Sequence, residues 1–197
     1  MKKQILLLLL AIVLTTATSF AETYQIDPTR TQINFSIKHL VFLTAHGHFK
    51  NFTGAVQADF KNRVLTKANA TILATSIETN LEKRDKYLRS QDFLDVDRYP
   101  EITFKSKKIT GSGDNITAVG DLTIKEITKE ITLAGHFLKT TDSSQEEFGA
   151  GFIANGVITR DDFALSQKTS TKVMLGNKIK IELKVMIATQ QVNNQSN

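Results

Sequence analysis

Apolar and polar residues alternate along most of the 197-residue chain. Positions 33–38 read INFSIK, positions 68–75 read ANATILAT, and positions 178–187 read KIKIELKVMI. A period of two residues is typical of β-strands that have one face toward a core and one toward water. The pattern therefore predicts strands in all three segments, and the last of them is the most regular.

Turn-forming residues separate these segments at 111–114, 142–144 and 176–177. Short strands separated by turns, without regularly interspersed helices, favour an antiparallel sheet that closes into a sandwich or a barrel. The chain has only two prolines, no internal repeat and no linker rich in Pro, Gly or Ser. One all-β domain is predicted.

The segment 76–104 interrupts the alternation with the sequence SIETNLEKRDKYLRSQDFLDVDRYPEITF. It predicts a short polar helix with Asn80 as its N-cap, followed by an aromatic-rich loop. Leu81 and Leu88 lie seven residues apart, so they define an apolar face of that helix. Tyr99-Pro100 disfavours helix and starts the next strand. A charged helix inserted between strands is interpreted as a lid over one end of a barrel.

The N-terminus has the features of a secretory signal peptide, predicted over residues 1–21. Lys2 and Lys3 precede an apolar run at 5–14, and the segment ends at Ser19-Phe20-Ala21, with small residues at 19 and 21. The run is too short to span a bilayer. We therefore expect an exported, periplasmic protein with one domain over residues 22–190 and a disordered tail over residues 191–197.

Composition excludes several functions. The chain has no cysteine, which rules out disulfides, thiol catalysis and a lipoprotein anchor. Loss of Lys2 and Lys3 lowers the formal net charge from +5 to +3, and the remaining basic residues are interspersed with acids. That distribution predicts a solvated surface and no nucleic-acid binding, with at most a brief encounter with an anionic membrane.

Twelve Phe and no Trp provide bulky rings that need no hydrogen-bond partner. Small residues recur on faces predicted to point inward, at 68, 70, 74, 149–151, 154 and 156. Small residues interleaved with Phe could leave room inside a barrel for a slender apolar ligand. The alternative is that the small residues accommodate strong strand curvature.

The histidines offer the only candidate chemistry. His46 and His48 share a strand face, and His39 is close in sequence. No carboxylate nearby completes a set, and a transition-metal site needs at least three well-placed ligands, so no metal is predicted. The chain has no nucleophile elbow, no phosphate-binding loop and no dinucleotide fingerprint. The sequence thus makes no positive case for catalysis.

An ordered series of segments covers nearly the whole of the predicted mature chain, from about Thr23 to about Met186. Its members are YQID at 24–27, INFSIKH at 33–39, GHF at 47–49, FTG at 52–54, SIET at 76–79, RD at 84–85, LRS at 88–90, DF at 92–93, YP at 99–100, ITF at 102–104, GDLTI at 120–124 and RDDF at 160–163. In this order they resemble the YceI family of exported, lipocalin-like proteins.

The resemblance implies an extended, lipocalin-like antiparallel barrel of about eight strands with a short helix and loop insertion near 80–98. It also implies an internal channel that holds a polyisoprenoid or similar amphiphile, with no chemical step established for the family in general. Homodimers are known among its members. No other cofactor is expected.

Three residues depart from the family pattern. Tyr87 stands where many relatives have His, Glu126 where Gly is usual, and Ala164 where Gly is common. Tyr87 keeps a hydrogen-bonding tip but cannot carry a positive charge near neutral pH. The head-group preference could therefore differ from that of relatives, and prenyl quinone, fatty-acid amide and prenyl phosphate all stay open.

The resulting hypothesis is a periplasmic carrier or reservoir for one long-chain amphiphile. The predicted wall and mouth residues are Phe35, Ile37, Phe49, Phe52, Phe93 and Phe104. The predicted polar contacts, or residues that fix the helix, are His39, Arg84, Asp85, Tyr87 and Arg160. One alternative is an enzyme acting on an isoprenoid through His39, His46 and His48, with or without metal. Another is a stress-related interaction protein whose cavity is incidental.

Overall fold

A computed structural model describes residues 21–40, 43–138, 150–165 and 175–188. The predicted signal peptide up to residue 20, the predicted turn at 142–144 and the predicted tail at 191–197 lie outside the described residues. None of the helices in the described ranges is long and apolar enough to cross a membrane.

Within these ranges the chain forms a single antiparallel sheet of eleven strands. Their bounds are β1 Glu22–Gln25, β2 Gln32–His39, β3 Leu43–Phe49, β4 Phe52–Asp59, β5 Val64–Leu73, β6 Ile77–Glu78, β7 Glu101–Ser112, β8 Asn115–Ile124, β9 Ile127–Phe137, β10 Gly151–Thr159 and β11 Leu175–Met186. The helix α1 spans Glu82–Arg89, and short 3-10 turns occupy Ala74–Ser76 and Arg160–Phe163. The all-β prediction with one short helical insertion is confirmed.

The sheet curls so that its first strand, β1, approaches the end of β11. Its strand order is β1-β4-β5-β7-β8-β9-β10-β11-β2-β3-β6. Just beyond β1, Ile26 bridges to Ile187, and the Asp27 amide donates to the Met186 carbonyl at 2.9 Å, next to the end of β11. Only Lys50 and Asn51 separate β3 from β4, so these two act as one bent strand. The eleven strands therefore exceed the predicted number of about eight, since β1 and β6 are short additions at the edges of the sheet and two residues divide β3 from β4.

Alternation sets which side chains face the interior. In β8, for example, Ile116, Ala118, Leu122 and Ile124 are buried at every second position. The predicted turn at 176–177 is wrong, since these residues belong to β11, where its pairing with β2 shifts register between Leu175 and Ile179. A bulge absorbs the Gly-Asn pair without ending the strand.

The buried residues form clusters at the two ends of the barrel. One end, here called the α1 end, contains Ile72, Ile102, Ile124 and Phe163 together with residues of the 76–104 insertion. The opposite end, called the β1 end, contains a cluster around Val56, Leu65, Phe137, Phe152 and Val185. The insertion between β6 and β7 therefore covers only the α1 end.

The predicted start of the helix is wrong by one residue. Asn80 has a φ of +61° and does not cap the helix, whose N-cap is Leu81 without a side-chain hydrogen bond. Asn tolerates this left-handed conformation better than most residues because its short side chain can bond locally. Leu81 is 56% exposed, whereas Leu88 is buried, so the predicted apolar face consists of Leu88 without Leu81.

Candidate ligand-binding cavity

A cavity of about 430 Å³ occupies the α1 end of the barrel. Its wall is formed mainly by inward-facing aliphatic and aromatic side chains. The lining residues are Ile33, Asn34, Phe35, Ile37, His39, Ala45, Phe49, Ile72, Ile77, Thr79, Arg84, Tyr87, Leu88, Phe93, Leu94, Ile102, Phe104, Leu122, Ile124, Ile131, Leu133, Ile158, Leu165, Leu175, Ile179, Ile181 and Leu183. The volume lies in the range usual for small-molecule sites.

The apolar wall follows from strand periodicity. The inward residues of β2 are Ile33, Phe35 and Ile37, and β11 beside it contributes Ile179 and Ile181. Phe35 packs against Phe49 of β3, with ring centroids 5.7 Å apart. Such a wall removes an apolar chain from water and offers few hydrogen-bond partners to a polar group, so it favours a long, apolar ligand.

The polar members of the wall are few. Asn34, His39, Arg84 and Tyr87 are half-buried, and Thr79 is buried. The Arg84 side chain donates from Nε to the Thr79 hydroxyl at 2.7 Å and from Nη2 to the Thr79 carbonyl at 2.8 Å. Arg84 thus joins α1 to the residue after β6 while its side chain also lines the cavity.

Asp85 anchors the same helix from inside. Its carboxylate accepts from the Thr79 amide at 2.9 Å and also from the Thr79 hydroxyl. At the far end of α1, Arg89 donates to the carbonyls of Thr75 at 2.8 Å and Ile77 at 2.6 Å. Hydrogen bonds that involve a charged group are the stronger kind, so α1 is held over the cavity at both of its ends.

Tyr87 lies in the cavity wall and packs against Phe93, with ring centroids 6.0 Å apart. The residue that departs from the family pattern in α1 is therefore placed where it can touch a ligand. A phenol at this position offers a neutral hydrogen-bonding tip beside an apolar ring.

The other two residues that depart from the family pattern, Glu126 and Ala164, connect loops at the α1 end. The Tyr99 hydroxyl donates to the Glu126 carboxylate, which raises the pKa of Tyr99 and lowers the pKa of Glu126. Ala164 has a φ of +49°, and its carbonyl accepts from Lys125 Nζ at 3.0 Å. The turn between β8 and β9 therefore contacts both the insertion and the segment after β10.

Most residues predicted to bind a ligand line this cavity. They are Phe35, Ile37, His39, Phe49, Arg84, Tyr87, Phe93 and Phe104. Three other predicted residues lie outside its wall. Phe52 is buried in the adjoining core, and Asp85 is turned to Thr79. Arg160, 2% exposed, donates to the Leu165 carbonyl at 2.9 Å and lies 3.3 Å from Asp161, so it fixes the segment after β10.

The aliphatic majority of the wall was missed as a ligand surface. It comprises Ile33, Ile72, Ile77, Leu88, Leu94, Ile102, Leu122, Ile124, Ile131, Leu133, Ile158, Leu165, Leu175, Ile179, Ile181 and Leu183. The inward phase of each strand identifies such residues as interior. Periodicity alone does not distinguish a filled interior from a hollow one, because both need the same alternation.

Small residues do not create the main cavity, contrary to one interpretation of the sequence. Of the described small residues singled out above, none lines it. Ala68 and Ala154 instead line a separate, smaller space nearer the β1 end. The main cavity exists because aliphatic side chains on the surrounding strands do not reach across this end of the barrel.

The histidines do not converge. His39 lines the apolar cavity, whereas His46 and His48 line a separate polar pocket of about 210 Å³. They pair with Ser36 and Asn34 of β2, positions of the opposite phase to His39. His48 Nε2 lies 3.2 Å from a Glu78 oxygen. Across the described ranges no group of three His, Cys, Asp or Glu residues is placed to hold a metal ion.

An antiparallel barrel that encloses an apolar cavity is the architecture of lipocalin-like folds. The family model described as a YceI-like domain matches residues 24–187 of this chain. The chain therefore belongs to the YceI family, as its sequence motifs indicated.

Relatives and solved structures agree with this assignment. The chain is 40% identical to Protein YceI of Escherichia coli O17:K52:H18 over 166 residues, which cover 83% of this chain and 87% of that protein. A YceI protein of Campylobacter jejuni is 28% identical with a TM-score of 0.69, covering 78% of this chain and 91% of its own. A polyisoprenoid binding domain from Saccharophagus degradans shares the fold at 14% identity, with a TM-score of 0.61 and coverage of 85% and 98%.

Proposed function

We propose that the protein binds one long-chain amphiphile, a polyisoprenoid, prenyl quinone or fatty-acid amide, with its tail in the cavity at the α1 end. The protein carries or stores this molecule in the periplasm and performs no chemical step on it. The observation that carries the proposal is the continuous apolar wall around a space of about 430 Å³.

Burial of the tail supplies the affinity. Each methylene group taken out of water contributes about 0.8 kcal/mol, so a long tail binds tightly with few polar contacts. The polar groups near α1, chiefly Arg84, His39 and Tyr87, are the candidates to meet the head group. Tyr87 offers it a hydrogen bond without a charge.

Two further observations support the ligand class and the location. The fold is shared with a protein described as a polyisoprenoid binding domain, although at 14% identity that likeness concerns architecture, so the ligand class rests on the cavity of this chain. The N-terminal sequence has the basic, apolar and small-residue regions of an export signal. The homodimer and the brief membrane contact stay predictions.

Native mass spectrometry of gently purified protein tests the proposal. The expected result is a mass increment from one bound amphiphile, which lipid extraction and fragmentation then identify. Protein that is consistently empty after preparation from lipid-rich cells would contradict the proposal. Stoichiometric metal in elemental analysis, or turnover of the extracted lipid, would instead support an enzyme. A partner protein that stays bound after lipid is stripped would support an interaction protein.

A further inference from the structure

A second apolar cavity, of about 60 Å³, lies nearer the β1 end of the same barrel. Its wall includes Ala68, Ala118, Gly135, Phe152 and Ala154. Bulky side chains form most of the wall, and the small residues at 68, 118, 135 and 154 lie among them.

Among the residues that the structure describes, three side chains line both cavities, namely Phe104, Leu133 and Leu183. They come from β7, β9 and β11, which are alternate strands within one stretch of the sheet. A residue that lines two separate spaces stands between them. These three side chains therefore form a partition between the two cavities.

Phe104 is the largest member of the partition, and its ring packs against Gly120, which has no side chain. A Cβ atom added to Gly120 would lie 2.7 Å from Phe104 Cζ and 2.8 Å from Cε2. Only glycine at 120 leaves room for the ring in this orientation, because real Cβ contacts are longer than these distances. The ring is thus seated against the wall of β8 at the bottom of the large cavity.

We infer that Phe104, together with Leu133 and Leu183, is the floor of the ligand site and determines the longest tail that the protein accepts. This inference rests on the proposed function. A tail that fills the space above the ring meets the partition, and the small cavity below stays out of reach. Removal of the ring joins the two spaces, and the small residues below it then accept further carbons of the tail.

The test measures binding of a series of all-trans prenyl alcohols, from geraniol through farnesol and geranylgeraniol to solanesol, to ligand-stripped protein. Wild-type affinity should rise with tail length and stop rising at one member. F104A should bind the next longer alcohol about tenfold more tightly than wild type does, since more of its tail is buried. In F104A/A118L, a larger side chain refills the lower space, and the wild-type limit should return.

F49A is the matched control, because Phe49 lines the large cavity but not the small one. It should weaken binding of all the alcohols without moving the limit. Thermal unfolding confirms that each variant is folded, and F104L replaces F104A if the latter is not. The inference is overturned if the tail length at which affinity stops rising is the same in folded wild type and folded F104 variants. It is also overturned if the affinity of wild type rises throughout the series. Wild type that binds none of the alcohols would instead count against the proposed function.

Discussion

Single residues at the α1 end adopt conformations that their side chains disfavour. Ala164 follows the 3-10 turn Arg160–Phe163 with a φ of +49° and a ψ of 36°, the left-handed region. Its amide donates to the Asp161 carbonyl at 3.1 Å, which ends the turn. An L-residue with a Cβ atom adopts this conformation at a cost of about 1 kcal/mol, whereas glycine adopts it freely.

Replacement of Ala164 by Gly should therefore raise the free energy of unfolding by about 0.5 kcal/mol, since the relief of strain exceeds the added entropy of the unfolded chain. Urea unfolding at neutral pH measures the change. A134G is the control, because Ala134 is exposed within strand β9, where the same substitution should lower the stability of the protein. Equal destabilisation of both variants would show that the left-handed conformation carries no penalty here.

At the scale of elements, helix α1 is the piece that distinguishes this barrel from a simple meander. It is polar on its outer side, yet Leu88 and Tyr87 line the cavity beneath it. The bonds from Arg89 to Thr75 and Ile77, and from Asp85 to Thr79, hold it in place. These contacts are what a ligand would have to break if it leaves through this end.

R89A should raise the dissociation rate of geranylgeraniol about tenfold, because two hydrogen bonds from a charged group no longer restrain the end of the helix. Transfer of the alcohol to lipid vesicles, followed by native mass spectrometry over time, measures the rate. K86A is the control, since Lys86 is exposed on the same helix. A folded variant that lacks residues 81–90 and releases the alcohol no faster than wild type would end the lid hypothesis.

At the scale of the whole molecule, a loop after β1 joins the first strand to the end of β11. The Asp27 carboxylate accepts from the Thr29 hydroxyl at 2.7 Å and from Arg30 Nε at 2.6 Å, and Arg30 Nη2 donates to the Ile187 carbonyl at 3.1 Å. These hydrogen bonds, from Thr29 first and Arg30 next, lower the pKa of Asp27 from 3.8 to about 2. The loop thereby links the edge strand β1 to the end of β11.

Because the pKa of Asp27 is lower in the folded than in the unfolded protein, its contribution to stability is present above about pH 4 and is lost as the pH falls toward 2. D27N should be less stable than wild type at neutral pH, and the difference should shrink between pH 4 and pH 2. Thermal unfolding across that range measures it. D97N, at an exposed site, is the control for removal of a carboxylate and should be about as stable as wild type at neutral pH. A constant difference between D27N and wild type would contradict the assignment.

Ligand binding should stabilise the whole barrel, since an unfolded chain offers no cavity. At a free ligand concentration one hundred times the dissociation constant, the gain is about 2.7 kcal/mol. Stripping lipid from the protein should therefore lower its melting temperature, and adding geranylgeraniol should restore it. Geraniol at the same concentration is the control and should restore less, because its shorter tail buries fewer methylene groups. Identical melting curves for stripped and reloaded protein would speak against tail burial.

Local patterns predicted much of this architecture correctly. The alternation at 33–38 places Ile33, Phe35 and Ile37 inward, and the Tyr99-Pro100 pair precedes β7 as expected. Local patterns gave wrong predictions where the same residues are compatible with several conformations. Asn80 is a good cap in isolation but adopts a left-handed turn, and Gly176-Asn177 resembles a turn but lies at a bulge within β11.

Site residues divide in the same way. A spacing of two placed Phe35 and Ile37 on the cavity wall, whereas Asp85 and Arg160 are polar groups whose partners come from other elements. The chain order of His39, His46 and His48 suggests a group, but the register of β2 with β3 puts His39 in a different space from the other two. Register depends on pairing between strands, which a single strand does not encode.

The sequence by itself determined the β-class, the helical insertion, the family and the inward phase of the long strands, because each depends on residues close together in the chain or on an ordered series of motifs. Only the tertiary structure decided that the α1 end is hollow, that Thr79 joins Arg84 and Asp85, and that Phe104 separates two spaces. These features depend on how far side chains from distant strands reach across a closed barrel. That distance is set by curvature and packing, which alternation leaves open.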